Sequence, residues 1–382
     1  MEANNSEAGA AHRDSGKSVA PGEGAQLGEV PAGVEKQLGE FFAQRAPKIR
    51  ELGAPVEQAV THLERFVLGG GKRIRPLYGW AGYVGGGGLR NRAEDPAAVL
   101  RAVSALELIQ ACALIHDDII DASDTRRGNP TVHRAVEATH REMDHHGDSA
   151  VFGRSMAILI GDLALTWAED MWRGSGVSHA ALDRAQDAWA SMRTEVLGGQ
   201  ILDISLEAAG SESVEMADRV NRYKTAAYTI ERPLHLGAAI AGADAATIEA
   251  FRGYGRDIGI AFQLRDDLLG VFGDSAVTGK PAGDDIREGK RTVLFATALS
   301  LLDATDPTAA AELRAGIGTA TDDRELRRLA EIMRASGAVE TVEERIDALT
   351  ASGLAQLDAA GLSPGVAALL RDLAVRSTSR KK

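Results

Sequence analysis

The stretch that decides the fold runs from residue 97 to residue 121 and reads AAVLRAVSALELIQACALIHDDIID. Its apolar and small residues recur at spacings of three and four, along a stripe that starts at Val99 and reaches Asp117. That spacing puts the stripe on one face of an α-helix. The segment therefore predicts a long helix with an apolar body and an acidic end.

A second stretch has the same design. In residues 248–269 a helical pattern containing Gly259 and Gln263 leads to the pair Asp266–Asp267. A single acidic triplet is often only a solvated helix end, but two apolar helices ending in aspartate pairs are harder to explain in that way. We expect the two ends to face each other and to clamp metal ions and a diphosphate.

The first acidic cluster has the spacing of a metal site. Asp117 and Asp121 are four residues apart, so their carboxylates leave successive helical turns in the same direction and repel each other. A divalent cation between them removes that repulsion. Mg²⁺ prefers oxygen ligands and typically takes one or two carboxylates together with substrate phosphates. The pattern therefore favours magnesium.

Composition limits the classes of protein that fit. The 382 residues are 44% hydrophobic and 26% charged, with a net charge of −12 and a single cysteine. The apolar share is that of a globular chain. The acidic balance argues against a nucleic-acid partner, and one cysteine allows no intrachain disulfide. No signal-like start and no apolar run approaching about 20 residues is apparent, so we expect a soluble, cytoplasmic protein.

The chain divides into a tail and one large domain. Residues 1–32 are rich in Gly, Ala, Ser, Glu and Pro, and we predict that they form a disordered tail. From there, residues 33–382 alternate long helical patterns with short Gly or Pro breaks, and β-branched alternation is nearly absent. This predicts an all-α catalytic domain, built as a single multi-helix bundle around a deep central cavity.

Basic residues accompany the acidic clusters. Residues 69–76 read GGGKRIRP, a glycine-rich turn followed by cations that suit a phosphate group. A nucleotide-binding P-loop is excluded because Arg73 stands where Ser or Thr should follow the Gly-Lys pair. Lys224 lies in a helix that we expect to kink near Pro233. Each cation alone could be a surface charge, and their joint occurrence supports a diphosphate site.

Taken in order, the motifs resemble those of the trans-prenyl diphosphate synthases, or polyprenyl synthetases. They are GGGKRIRP (69–76), DDIID (117–121), ASDTRRGNPTVH (122–133), GGQILD (198–203), KTAAYT (224–229), FQLRDDLLGVFGD (262–274) and GKPAGDDIREGKRT (279–292). The resemblance runs from about Val34 to the C-terminus. It implies the isoprenoid synthase fold and a homodimer, with isopentenyl diphosphate and allylic diphosphates as the substrates.

The resemblance also implies roles for individual residues. The set that binds isopentenyl diphosphate is Lys72, Arg75, Gln110 and Arg127. The set that holds the allylic diphosphate is Arg126, Lys224, Lys280 and Lys290, while Thr225 and Gln263 lie beside the reacting carbons and Gln200 and Asp203 line the cavity. Magnesium, about three ions, is held by Asp117, Asp121 and Asp266, with Asp118 and Asp267 in support. The catalytic residues are therefore Asp117, Asp118, Asp121, Arg126, Lys224, Asp266 and Lys280.

One position departs from the family pattern, because Gly270 stands where a third aspartate would follow Asp266 by four residues. We expect the metal on this side to be held mainly by Asp266. The chemistry implied is a head-to-tail (1′-4) condensation in which cations stabilise the departing diphosphate. No side-chain nucleophile is needed.

Product length is predicted from the residues before the first aspartate. The product tail is implied to grow past Ala113 and Cys112, both small. One helical turn rises 5.4 Å, close to the length of an isoprene unit, so an open turn admits about one more unit. This favours geranylgeranyl diphosphate (C20), with a farnesyl or a longer polyprenyl product as the alternative. Two other classes stay open: a terpene cyclase, disfavoured by Asp266–Asp267, and a non-catalytic partner subunit, disfavoured by the intact motifs.

Overall fold

The computed structural model describes residues 23–273 and 282–378, and in them the prediction of an all-α fold is confirmed. The first helices are α1 (Glu23–Leu52), α2 (Ala54–Leu68), α3 (Ile74–Gly85), α4 (Gly88–Asn91), α5 (Pro96–Ile120), α6 (Val132–Glu142), α7 (Ser149–Arg173) and α8 (His179–Ala208). They are followed by α9 (Val214–Val220), a π-helix (Asn221–Glu231), α10 (Arg232–Ala241), α11 (Ala245–Phe272), α12 (Asp284–Glu288), α13 (Val293–Thr305), α14 (Pro307–Gly316), α15 (Asp323–Ala335), α16 (Ala338–Ala359) and α17 (Pro364–Thr378). A short antiparallel ribbon pairs β1 (Thr125–Arg126) with β2 (Asn129–Pro130).

The N-terminal boundary differs from the sequence prediction. Helix α1 begins at Glu23, so residues 23–32 are helical rather than part of a tail, and residues 1–22 lie outside the described residues. Leu27, Val30 and Val34 recur at helical spacing and are buried. This stripe was hidden in the sequence by the surrounding Gly, Ala and Pro. Burial of its apolar side chains supplies the stabilisation that helix propensity alone does not.

The predicted acidic helix is the central helix of the structure. Helix α5 packs against α7, α3 and α1, and its body is buried on nearly every side. Asp95 caps its N-terminus, because the carboxylate accepts from Ala97 N at 3.1 Å. Helix α11 joins two apolar clusters: Tyr254 belongs to the larger one and Leu264 to the smaller one. The two helices therefore carry the two acidic motifs from the core to its edge.

A π-helix replaces the kinked helix that the sequence predicts around Lys224. It occupies Asn221–Glu231 and passes directly into α10, so that Pro233 lies in the first turn of α10, where its missing N–H is tolerated. Bonds in a π-helix run from residue i to i+5, and such segments are frequent at functional sites. The irregularity is therefore spread over the whole segment that bears Lys224.

Two helices are long and apolar enough, by length and composition, to cross a membrane: α5 and α7. Charged residues interrupt both helices, which is why the sequence shows no apolar run of that length. In α5, 72% of the apolar window is buried, as befits a core helix, whereas in α7 the figure is 28%. Exposed apolar side chains of α7 and α8, which we call the exposed apolar face, are Val151, Phe152, Ile158, Leu159, Leu197, Ile201 and Ile204.

Candidate active site

The first acidic motif lies at the C-terminal end of α5, surrounded by basic side chains. Asp118 is buried and accepts from Arg126 Nε at 2.7 Å. Asp117 lies 3.5 Å from Arg126 Nη2 and accepts from Gln200 Nε2 at 3.1 Å. Asp121 caps the helix. The structure therefore brings Asp117 and Asp118 together with Arg126, and Asp117 together with Gln200.

Burial and neighbouring charges shift the pKa values of the three aspartates in different directions. Burial raises the pKa of Asp118 to about 6, against the opposing effect of Arg126. Burial also acts to raise the pKa of Asp117, but Lys224 and Arg126 outweigh it and hold that pKa below its ordinary value. The pKa of Asp121 is raised by burial and by the charge of Asp117. The motif thus concentrates negative charge where a cation would be favourable.

Lys224 joins this motif to α8. Its Nζ lies 3.2 Å from Asp117 Oδ1 and 2.6 Å from Asp203 Oδ2, and the side chain is 23% exposed. Burial would lower its pKa, but the two aspartates raise it above the ordinary value. Lys224 is therefore a fixed cation directly beside the first motif.

The next residue along the π-helix reaches the second motif. Thr225 Oγ1 donates to Gln263 Oε1 at 2.7 Å, and Gln263 Nε2 donates to Asp267 Oδ1 at 2.8 Å. Asp267 is buried, and burial followed by the charge of Asp285 raises its pKa to about 8. Asp266 is half-buried beside it. A chain of contacts from Asp117 through Lys224–Thr225 to Gln263 and Asp267 thus brings the two motifs together.

The missing third aspartate of the second motif has a structural counterpart. A Cβ placed on Gly270 would lie 2.0 Å from Asp285 Oδ2, so the absence of a side chain at 270 admits the carboxylate of Asp285. Sequence reasoning quoted the segment 279–292 but gave Asp285 no role. Its distance along the chain from Asp266 conceals that the two carboxylates share one region.

A further cation comes from the segment after α12. Lys290 Nζ lies 4.0 Å from Asp121 Oδ2 and 2.8 Å from Glu288 Oε2. Burial would lower its pKa, but Asp285, Glu288 and Asp121 raise it. Lys290 therefore lies next to the first motif. Lys280, also predicted for this site, lies outside the described residues.

The glycine-rich loop forms a second basic region. Arg127 Nη1 donates to Gly70 O at 3.0 Å, and Arg75 Nη2 donates to Thr229 Oγ1 at 2.9 Å. The Arg75 guanidinium also lies 4.0 Å from the centre of the Tyr228 ring, a cation–π distance. Lys72 is exposed, and Gln110 is half-buried on α5. The sequence does not predict that Arg75 contacts Tyr228 and Thr229, because neither motif contains a local pattern that indicates the other.

Beneath Asp117 lies a narrow cavity of about 70 Å³, lined by Ala113, Val196, Tyr228 and others. Its lining residues come from α5, α8 and the π-helix. Cys112 faces α7 instead, with Sγ 3.7 Å from His116 Nδ1, while His116 Nε2 lies 3.0 Å from Ile158 O. Of the two residues predicted to set product length, Ala113 is therefore the one that borders the cavity.

A more open cavity of about 320 Å³ lies between Glu231, Arg252 and Gln356. Its charges are already paired, since Arg252 bonds Glu231 at 3.2 Å and Glu249 at 2.7 Å. The motifs that carry chemistry are therefore at the smaller cavity.

Residues 57–333 match the family model described as polyprenyl synthetase, and the chain belongs to this family. It is a prenyltransferase that elongates trans-prenyl chains. It is similar to the crystal structure of a geranylgeranyl pyrophosphate synthase from Corynebacterium glutamicum complexed with isoprenyl diphosphate and magnesium, with 59% identity, a TM-score of 0.90 and coverage of 93% of this chain and 99% of that one.

Two curated relatives differ in product. A geranylfarnesyl diphosphate synthase of Aeropyrum pernix is 34% identical over 284 residues, which are 73% of this chain and 80% of the relative. A (2E,6E)-farnesyl diphosphate synthase of Mycobacterium tuberculosis is 30% identical over 306 residues, 80% of this chain and 78% of the relative. Relatives of this chain thus make both farnesyl diphosphate and the longer geranylfarnesyl diphosphate.

Proposed function

We propose that the protein condenses isopentenyl diphosphate head-to-tail (1′-4) with dimethylallyl, geranyl and farnesyl diphosphates and releases diphosphate. The product is linear all-trans geranylgeranyl diphosphate (C20). The observation that carries the proposal is the contact chain in which Lys224 bonds Asp117 while Thr225 bonds Gln263 of the second motif. It creates one acidic and basic site from two distant motifs, as a diphosphate with metal ions requires.

The residues present suit magnesium. The donors are carboxylate oxygens, which Mg²⁺ prefers, and the buried oxygens Asp118 Oδ2 and Asp267 Oδ2 have no hydrogen-bond partner among the described residues. Asp117, Asp121 and Asp266 would hold the metal, with Asp118 and Asp267 in support, about three ions in all. Bound there, magnesium supplies charge neutralisation of the leaving diphosphate.

The basic residues divide between two diphosphates. Arg126, Lys224 and Lys290 surround the first acidic motif, so we assign them, with Lys280, to the allylic diphosphate. Lys72 and Arg75 belong to the glycine-rich segment, Arg127 bonds to it, and Gln110 lies on α5. We assign these four residues to isopentenyl diphosphate. Positive side chains fixed before the reaction stabilise charge on the leaving group without reorganisation.

The reaction then needs no protein nucleophile. The C1–O bond of the allylic substrate breaks and its electron pair leaves with diphosphate. The double bond of isopentenyl diphosphate attacks that C1 to form the 1′-4 bond, and the C2 proton passes to the released diphosphate. We assign to the side-chain oxygens of Thr225 and Gln263 the stabilisation of the allylic cation, and to the buried apolar walls the exclusion of water from it.

The C20 product follows from Ala113 and from the similarity to the Corynebacterium glutamicum enzyme. The methyl group of Ala113 leaves the cavity wall open beside Tyr228 and Val196. A farnesyl or longer product is the alternative, given the products of the relatives.

The test is an assay of the purified protein with isopentenyl diphosphate, each allylic primer in turn and Mg²⁺, with and without a chelator. The dephosphorylated products are then separated by chromatography. A linear C20 alcohol formed only with metal supports the proposal. Cyclic products, or no product from the protein alone, would overturn it in favour of a cyclase or a partner subunit.

We also propose that the protein is a cytoplasmic homodimer, joined through the exposed apolar face of α7 and α8. This face carries Leu159, 62% exposed, and Ile201, 65% exposed, and large apolar side chains left exposed on a protein favour an interaction site. Light scattering on Leu159→Asp and Ile201→Asp is expected to show monomers. A wild-type monomer would contradict the proposal.

A further inference from the structure

A buried ion pair lies directly behind the glycine-rich loop. Arg73 Nη1 donates to Glu107 Oε2 at 2.7 Å, and the two side chains are only 5% and 6% exposed. Arg73 stands between Lys72, which is exposed, and Arg75, which lies over Tyr228. The middle cation of the loop is therefore turned into the core, while both of its neighbours belong to the site proposed for isopentenyl diphosphate.

The backbone of Arg73 is unusual in the same place. Its φ of 50° and ψ of 39° are left-handed, a conformation that residues with a side chain rarely adopt. Arg73 O nevertheless accepts from Leu77 N at 3.1 Å and so starts α3. A strained residue of this kind persists only where its surroundings fix it. Here the fixing contact is the bond to Glu107 on α5.

The ion pair is poorly explained as a stabilising feature. Arg73 Nη2 and Glu107 Oε1 are both buried and have no hydrogen-bond partner among the described residues. Burying two charges is expensive unless further hydrogen bonds satisfy them, and such pairs are weak evidence for stability. A geometric role accounts better for a strained, incompletely bonded pair at this position.

We propose that Arg73 and Glu107 are positioning residues for the isopentenyl diphosphate site. Glu107 lies one helical turn before Gln110 on α5, so its bond to Arg73 ties the glycine-rich loop to the helix that bears Gln110. Lys72 and Arg75, on either side of the anchored residue, are thereby directed at the same diphosphate as Gln110. The inference rests on the proposed function, because that function assigns these three residues to isopentenyl diphosphate.

The test is Glu107→Gln, which keeps the shape of the side chain and removes its charge. Lys72 and Arg75, no longer directed at one point, should bind the diphosphate less tightly, so we expect KM for isopentenyl diphosphate to rise about tenfold or more. KM for the allylic substrate should change by less than about threefold, because Arg126 and Lys224 hold it elsewhere. An equal rise in both constants, or no rise in a folded variant, overturns the inference.

Asp257→Asn is the matched control. Asp257 is also buried and accepts from Ser352 Oγ at 2.7 Å and Gln356 Nε2 at 2.9 Å. Its variant should lose stability without separating the two KM values, and a separation equal to that of Glu107→Gln would contradict a specific role.

Arg73 supplies the remaining variants. The double variant Arg73→Gln/Glu107→Gln should raise KM for isopentenyl diphosphate no more than either single change, since the two residues act as one unit, whereas additive effects would contradict this. If Glu107→Gln does not fold, Arg73→Lys, which keeps the charge but loses the fork, replaces it with the same expected separation of KM values. Wild-type protein that forms no product overturns the proposed function, whereas active wild-type protein with unchanged KM values in the variants overturns only this inference.

Discussion

Gly199 on α8 is the position where one added carbon atom should do most damage to the site. A Cβ at this residue would lie 2.3 Å from Lys224 N and 2.6 Å from Lys224 Cα. Carbon contacts are optimal at about 3.5–4.0 Å, so Gly199→Ala must separate α8 and the π-helix by about 1 Å. No rotamer change relieves the clash, because the atoms that it meets are backbone.

The separation should weaken both activity and stability. The bond of Lys224 Nζ to Asp203 at 2.6 Å crosses the same interface. A shift of Lys224 also disturbs its 3.2 Å bond to Asp117 on α5. A misplacement of about 1 Å can lower a rate about 100-fold, and we expect kcat to fall about 30- to 100-fold. Overpacking should lower the free energy of unfolding by about 1–3 kcal/mol.

The assay is steady-state turnover at saturating substrates, together with thermal unfolding. The control is Gly39→Ala in α1, where an added Cβ meets nothing within 4 Å. That change should leave kcat unaltered and stabilise the helix by about 0.5–1 kcal/mol. Wild-type kcat in Gly199→Ala would refute the argument that this contact positions Lys224.

Three further changes test other parts of the structure. Ala113→Phe adds six ring carbons beside a cavity of about 70 Å³ and should shorten the product by about one or two isoprene units. The control is Cys112→Ala, which alters a side chain that faces α7. An unchanged product profile in Ala113→Phe would contradict the role of Ala113. Gly270→Ala should displace the Asp285 carboxylate, which would lie 2.0 Å from the new Cβ. We expect a rise in the Mg²⁺ concentration needed for half-maximal activity, measured by metal titration. An unchanged Mg²⁺ requirement would show that Asp285 does not contribute to the metal site. Burial and Arg232 lower the pKa of His235 from 6.5 to about 4. Between these pH values the unfolded chain binds more protons than the folded one, so the free energy of unfolding falls by up to about 3 kcal/mol as the pH drops from 6.5 towards 4. His235→Asn should flatten this part of the pH dependence in denaturant titrations, and an identical slope in both proteins would exclude His235 as its source.

The sequence was sufficient where chemistry follows local spacing. The four-residue interval between Asp117 and Asp121 put both carboxylates on one helical face, and the structure has them at the end of α5. The apolar residues before Gln263 likewise predicted α11. In each case one helix, read by itself, determines which residues share a face.

Contacts between distant segments were beyond such reasoning. Asp285 lies against Gly270 because the chain folds back after α11, and no periodicity records where a returning segment stops. Glu107 did leave a signal in the sequence, because it is the only charged residue between Val103 and Ile115. A buried charge in an apolar run indicates a partner, but the sequence does not say that the partner is Arg73.

The π-helix shows why the two proposed substrate sites depend on one irregular segment. Lys224 contacts Asp117, whereas Thr229, five residues later, accepts the bond from Arg75 of the glycine-rich loop. Bonds from i to i+5 set residues five apart above one another, while in an α-helix they would point about 140° apart. Only the wider helix therefore presents Lys224 and Thr229 on a common face.

That wider helix also needs neighbours without side chains. Gly199 of α8 abuts Lys224, and Gly259 of α11 abuts Ala226, where an added Cβ would lie 2.5 Å from the Ala226 Cβ. Gly255 abuts Glu231 in the same way, at 2.4 Å from its Cα. The glycines of two regular helices thus accommodate the irregular one. The geometry that joins the two proposed diphosphate sites is consequently determined as much by these glycines as by the charged residues themselves.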